Sequence, residues 1–85
     1  MTSLQDAEAS IRRVLRDHGG LHTDPGELPA EADLYQCGLT SNASVNVMLA
    51  LESEFDVEFP DRMVKRNLFR SISSIERALR ELIAD

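Results

Sequence analysis

Apolar residues return every three or four positions in three separate stretches of this chain. No strand pattern competes with these, so the regular structure is expected to be all helix. From about Ser3 to Asp17 the recurring positions are Leu4, Ala7, Ile11, Val14 and Leu15. From Ser41 to Phe55, Val47, Leu51 and Phe55 repeat at intervals of four, and Ala43, Val45, Met48 and Leu49 widen the apolar surface beyond one stripe. From about Ser73 onward the set is Ile75, Ala78, Leu79, Leu82 and Ile83. With 5% aromatic residues and no Trp, the core is left to aliphatic side chains and three Phe, which suits short packed helices.

The segment ends agree with this reading. Thr2 and Ser3, followed by Gln5 and Asp6, carry capping-box chemistry, and Gly19-Gly20 stops the first helix where left-handed backbone meets no Cβ. Between Gly19 and Gly38 lie all four glycines, Pro25 and Pro29, with no sustained period. A loop of this length usually carries packing or function, and Leu28, Leu34, Tyr35 and Leu39 are expected to pin it to the core, with a short helical turn at Glu31 to Tyr35. Pro60 interrupts the chain before a short helix at Asp61 to Asn67 that turns Met63, Val64 and Leu68 inward. Ser73 with Glu76 reads as the capping box of the last helix. The sum is a small antiparallel bundle of three main helices plus one short helix, with a long first loop, and 85 residues suit a single domain spanning 1–85.

Charge narrows the partners. Nine bases against fifteen acids give a net charge of −6, the wrong sign for a protein that binds phosphate backbones, so nucleic acid is not expected. An acidic domain of this kind is kept monomeric by self-repulsion and is steered toward enzymes with a basic docking patch. Cys37 alone cannot form an internal disulfide. The opening "MTSLQDAEAS" carries no basic n-region, and no window reaches the length of a membrane span. The expected setting is the cytoplasm, with no membrane partner.

Catalytic patterns are scarce. His18 and His22 flank the double glycine outside H-E-x-x-H or any other ligand motif, and Cys37 lies in no thiolate-stabilising motif. Glu52, Glu54, Asp56 and Glu58 lack the glycine and oxygen-ligand order of a calcium loop and read as a solvated face. No metal site is expected, and no enzyme. What remains is Ser41, at the start of the middle helix beside Thr40 and Asn42. Its hydroxyl could simply cap the helix, or could carry an attached group whose anion is welcome at the positive dipole end.

The run "ADLYQCGLTSNASVNVMLALESEFDVEFPD", residues 32 to 61, resembles the centre of an acyl carrier protein. It holds a Gly-x-x-Ser turn, an apolar helix ending in Leu-Glu-x-x-Phe, and an acidic-apolar lead into Pro-Asp. "SISSIERALREL" is similar to the last helix of that family, and the likeness spans essentially the whole chain. The resemblance implies that Ser41 receives 4′-phosphopantetheine from coenzyme A through a separate magnesium-dependent phosphopantetheinyl transferase. The thiol of that arm would then carry cargo as a thioester while other enzymes perform the chemistry.

Fatty-acid members usually read Asp-Ser-Leu at the site with more acids along the helix; here Thr40-Ser41-Asn42 is followed by Ala43 and Asn46. The pattern is more similar to small stand-alone bacterial aminoacyl carrier proteins, loaded by amino acid:carrier protein ligases that resemble class II seryl-tRNA synthetases. That likeness implies a small amino acid as cargo, handed on to an acceptor enzyme the sequence leaves unspecified. The docking element would be the helix after Ser41, with Val45, Met48 and Leu49 as apolar anchors and Thr40, Asn42 and Asn46 as a polar rim. The alternatives are a fatty-acyl or polyketide-type carrier, or an unmodified carrier-like adaptor in which Ser41 only caps.

Overall fold

The computed structural model describes residues 7–84, so Leu4 and the cap expected at Thr2, Ser3, Gln5 and Asp6 lie outside the described residues. Helix α1 is described over Ala7–His18 and buries Ala7, Ile11, Val14 and Leu15, the expected face. Glu8 in its first turn and Arg16 and His18 in its last complement the helix dipole. The Gly19 N–H donates to the Leu15 carbonyl at 2.8 Å, and Gly20 takes φ 63, closing the helix as the double glycine predicts.

The long loop is stitched down at several points. Asp24 caps a 3-10 turn at Pro25–Glu27, accepting from the Gly26 N–H at 3.0 Å. Arg12 of α1 donates to the Pro25 and Leu28 carbonyls at 2.6 and 2.7 Å, and Arg16 reaches the Asp24 carboxylate. That carboxyl is held below its ordinary range, first by the Gly26 N–H and then by Arg16. Leu34 and Leu39 are buried, while Leu28 and Tyr35 pack partly buried against the core, as expected. The helical turn expected at Glu31 to Tyr35 instead spans 34–38. Asp33 sets its start by accepting from the N–H groups of Tyr35 and Gln36 at 2.9 and 3.4 Å.

Helix α2 spans Ser41–Phe55 and buries Val47, Leu51 and Phe55. It ends at Asp56 in left-handed conformation, φ 54, and Glu52 accepts from the Phe59 N–H at 2.8 Å. Glu52 therefore belongs to the chain reversal rather than to a solvated face, and Glu54 pairs with Arg13 of α1. The short helix expected at Asp61 to Asn67 is two 3-10 turns, Asp61–Met63 and Arg66–Phe69. Met63 and Leu68 face inward but Val64 is exposed, because it sits at the break between the turns where no helical period holds.

Helix α3 spans Ile72–Ala84. Its cap is Ser71, whose Oγ accepts from the Ser74 N–H at 3.1 Å, and not Ser73 with Glu76. The Ser73 hydroxyl donates to Glu31 at 2.6 Å and Glu76 pairs with Arg80. Starting earlier buries Ile72 beside Ile75, Ala78 and Leu79. Leu82 packs half-buried against the core and Ile83 is exposed, where the periodic reading has both buried. Helix α1 packs on both α2 and α3, and the described residues form three helices and no strand, the expected bundle. None of these helices is long and apolar enough to cross a membrane.

Candidate functional site

The turn into α2 explains its own sequence. Gly38 takes φ 111, a conformation that favours glycine, and a Cβ there would sit 2.9 Å from the His22 ring and push it aside. The His22 N–H donates to the Cys37 carbonyl at 2.8 Å, holding that ring across the turn, and Cys37 itself is half-buried packing. Leu39 drops into the core, and Thr40 leaves in extended conformation, φ −98 and ψ 166.

Thr40 is the helix cap. Its Oγ1 accepts from the Ala43 N–H at 3.1 Å, so Ser41 stands at the first helical position with its side chain exposed. Among the described residues the Ser41 hydroxyl has no hydrogen-bond partner, and the Ser44 hydroxyl donates to the Ser41 carbonyl at 2.7 Å. The capping role considered for Ser41 from sequence is therefore filled by its neighbour. The first turn of α2 carries no acid, which leaves its positive end unneutralised.

Beside Ser41 lies a groove of about 320 Å³. Ser44, Val45 and Met48 line it from α2, Val64, Lys65, Arg66 and Phe69 from the 3-10 turns, and Tyr35 from the loop. The Tyr35 hydroxyl donates to the Arg66 carbonyl at 2.9 Å, and the Arg66 guanidinium lies 4.1 Å over the Tyr35 ring. Burial raises the Tyr35 pKa above its ordinary value, with the Arg66 charge pulling partly back. A tyrosine with a raised folded pKa stabilises the fold fully below the unfolded value near 10, and that contribution is lost as pH rises through the folded pKa. Tyr35 is the single tyrosine, so tyrosinate absorbance reports it alone: the midpoint is expected above 10 in the native chain and near 10 in urea. Coincident midpoints would contradict the packing described for its ring.

The expected docking residues divide between two faces. Val45 and Met48 share the groove with Ser41; Asn46 and Leu49 line a separate groove of about 560 Å³ with Arg13, His18 and Glu54 between α1 and α2. Thr40 and Asn42 are exposed at the helix start and line neither. Val45 and Leu49 are 50% and 54% exposed, as an anchor requires, but Met48 is partly buried against the core. Neither His18 nor His22 lines the Ser41 groove, and no acid does. Sequence reasoning missed Tyr35, Lys65 and Arg66 as neighbours of Ser41, for which no local pattern gives a signal.

An unused, exposed hydroxyl at the positive end of a helix, beside an acid-free groove with two cations on its wall, fits a phosphodiester-linked arm. Residues 10–83 match the model of the family described as "phosphopantetheine attachment site", and the chain belongs to that family, whose members carry a covalent 4′-phosphopantetheine. Among curated relatives it is 44% identical over 75 residues to an aminoacyl carrier protein of Agrobacterium fabrum, covering 88% of this chain and 90% of the relative.

Solved structures agree. A chain in the crystal structure of engineered Bradyrhizobium japonicum glycine:[carrier protein] ligase complexed with carrier protein from Agrobacterium tumefaciens and AMP superposes with TM-score 0.83 at 45% identity, over 86% of this chain and 97% of the other. A more distant match, from the B. japonicum ligase complexed with glycylated carrier protein, gives 0.65 at 28%, over 88% and 95%.

Proposed function

We propose that this chain, as one domain over 1–85, is an aminoacyl carrier whose Ser41 bears the 4′-phosphopantetheine arm. The observation that carries this reading is the division of labour at the turn: Thr40 caps α2, and the Ser41 hydroxyl is left exposed and unbonded. A phosphopantetheinyl transferase would transfer the arm from coenzyme A to the Ser41 Oγ, breaking the pyrophosphate bond of coenzyme A, releasing adenosine 3′,5′-bisphosphate and taking up the hydroxyl proton. The arm supplies a thiol that holds the acyl group as an activated thioester. The chain's own residues fix where it would start: Gly38 and Leu39 set the turn, and the first turn of α2 would favour the phosphodiester's charge through its dipole.

The chain acts as a tether and not as a catalyst, a reading supported by its family, whose members carry the arm, and by its aminoacyl carrier relative. Its relatives support a small amino acid as cargo and, as loading partner, an amino acid:carrier protein ligase resembling class II seryl-tRNA synthetase, since solved structures pair such carriers with glycine:[carrier protein] ligase. Val45 and Met48 would meet the partner beside the arm, and Asn46 and Leu49 on the adjoining face, with Thr40 and Asn42 at the rim. Attachment that draws on coenzyme A and loading that draws on ATP suit the cytoplasm, and self-repulsion at a net charge of −6 favours a monomer.

The test is to incubate the phosphopantetheinylated chain with ATP, the B. japonicum glycine:[carrier protein] ligase and single amino acids, then measure intact mass. A gain of one aminoacyl residue, released by hydroxylamine, is expected with glycine or another small amino acid. Loading with fatty-acyl groups by an acyl-carrier synthetase, and with no amino acid, would overturn the aminoacyl reading.

A further inference from the structure

The chain's charge is segregated. Residues 62–75 hold Arg62, Lys65, Arg66 and Arg70 and no acid, while the other 71 residues hold five bases and all fifteen acids. Folding places this basic stretch next to Ser41: Lys65 and Arg66 line its groove, and Arg66 and Arg70 line the adjoining hollow with Tyr35, Asn67 and Asp33. Asp33 is the one acid there, and its carboxylate is already accepting from two backbone N–H groups. Arg62 pairs with Glu81 and Arg66 stacks on Tyr35, whereas Lys65 and Arg70 are exposed and make no ion pair among the described residues.

Net charge therefore misleads about the end of the molecule that matters. A domain of −6 is expected to seek a basic docking patch, yet the surface around Ser41 carries the opposite sign. We propose that Lys65, Arg66 and Arg70 form a docking surface for a carboxylate-rich protein surface at the active-site mouth of the loading ligase. Val45 and Val64 are the exposed apolar contacts beside these cations. The proposal rests on Ser41 being the attachment point.

Charge complementarity argues for an acidic protein surface. Exposed pairs add little affinity one at a time, but a positive end on an acidic body is a dipole that turns Ser41 toward an acidic partner during approach. The same segregation disfavours partners that expect acids beside the serine, because like charges would meet at the docking face. A single phosphodiester on Ser41 would occupy one or two cations at most and would leave Arg70, which lines the adjoining hollow and not the Ser41 groove, unused.

The experiment titrates ¹⁵N-labelled Ser41→Ala chain, which cannot take the arm, with the B. japonicum glycine:[carrier protein] ligase at low and moderate salt. Amide shifts are expected at 44–48 and 62–70. The double variant Lys65→Glu/Arg70→Glu is expected to weaken Kd on the order of tenfold at low salt, with the gap closing as salt screens the pair. Arg80→Glu, the same kind of change at an exposed α3 residue that lines neither the Ser41 groove nor the adjoining hollow, is expected to alter Kd less than about twofold. Shifts confined to other elements, no binding, or a double variant that binds as tightly as the parent would overturn the proposal. Circular dichroism confirms that each variant is folded. Failure of the underlying reading shows separately, as an unmodified Ser41 in the intact mass of the parent.

Discussion

Replacing Leu51 with alanine is expected to destabilise the fold by about 3 kcal/mol, enough to lower the Tm by roughly 15 °C in a domain of this size. Leu51 is fully buried in the second half of α2, one turn from both Val47 and Phe55, and α2 packs along α1. Removing its isobutyl group loses the transfer energy of the side chain and leaves a cavity that helices fixed at both ends cannot collapse to fill. Helix α2 is fixed at its start by Thr40 and at its end by left-handed Asp56 and the Glu52 bond to Phe59. Thermal denaturation followed by circular dichroism checks the value. A loss under about 1 kcal/mol would mean that α2 does not pack as described.

The second large effect separates docking from folding. Leu49→Glu is expected to lower kcat/KM for loading by about tenfold with stability unchanged within about 0.5 kcal/mol, because the side chain is mostly in water and ends in the open groove between α1 and α2. Met48→Glu is expected to behave differently. Met48 is packed partly against the core, so a charge there costs stability as well as loading. Urea denaturation beside loading rates distinguishes the two. If Leu49→Glu loads as fast as the parent, the ligase does not reach the α1 side of α2, and docking is confined to the face shared by Ser41, Val45 and Met48.

The bundle was legible in the sequence because helical period survives in α1, α2 and α3, and because Gly19-Gly20 and Pro60 punctuate it in the way backbone geometry demands. Where the reading slipped, a local rule had two solutions. Ser71 and Ser73 each make a plausible cap, and the choice of Ser71 follows from burying Ile72, a tertiary fact. One helix projected across 61–67 turns Val64 inward, whereas the chain there forms two 3-10 turns with a break between them.

Ser41 shows the same ambiguity with more at stake. Thr40 and Ser41 are both good caps, and only the extended backbone of Thr40 decides between them. The Gly-x-x-Ser turn was recognisable, while the reason for its glycine, the His22 ring lying across Gly38, was not. The cationic wall of the groove was equally hidden. Lys65 and Arg66 come from a stretch far along the chain, and the overall negative charge pointed to the opposite sign of partner.

The most direct measurement is intact mass after incubation with coenzyme A, magnesium and a broad-specificity phosphopantetheinyl transferase, for the parent, Ser41→Ala and Thr40→Ala. The account predicts a gain of one phosphopantetheine in the parent and none in Ser41→Ala. Thr40→Ala should keep the gain despite losing about 1 kcal/mol of stability with the cap. A parent that never gains the arm, or a Ser41→Ala chain that still does, would contradict the assignment of Ser41.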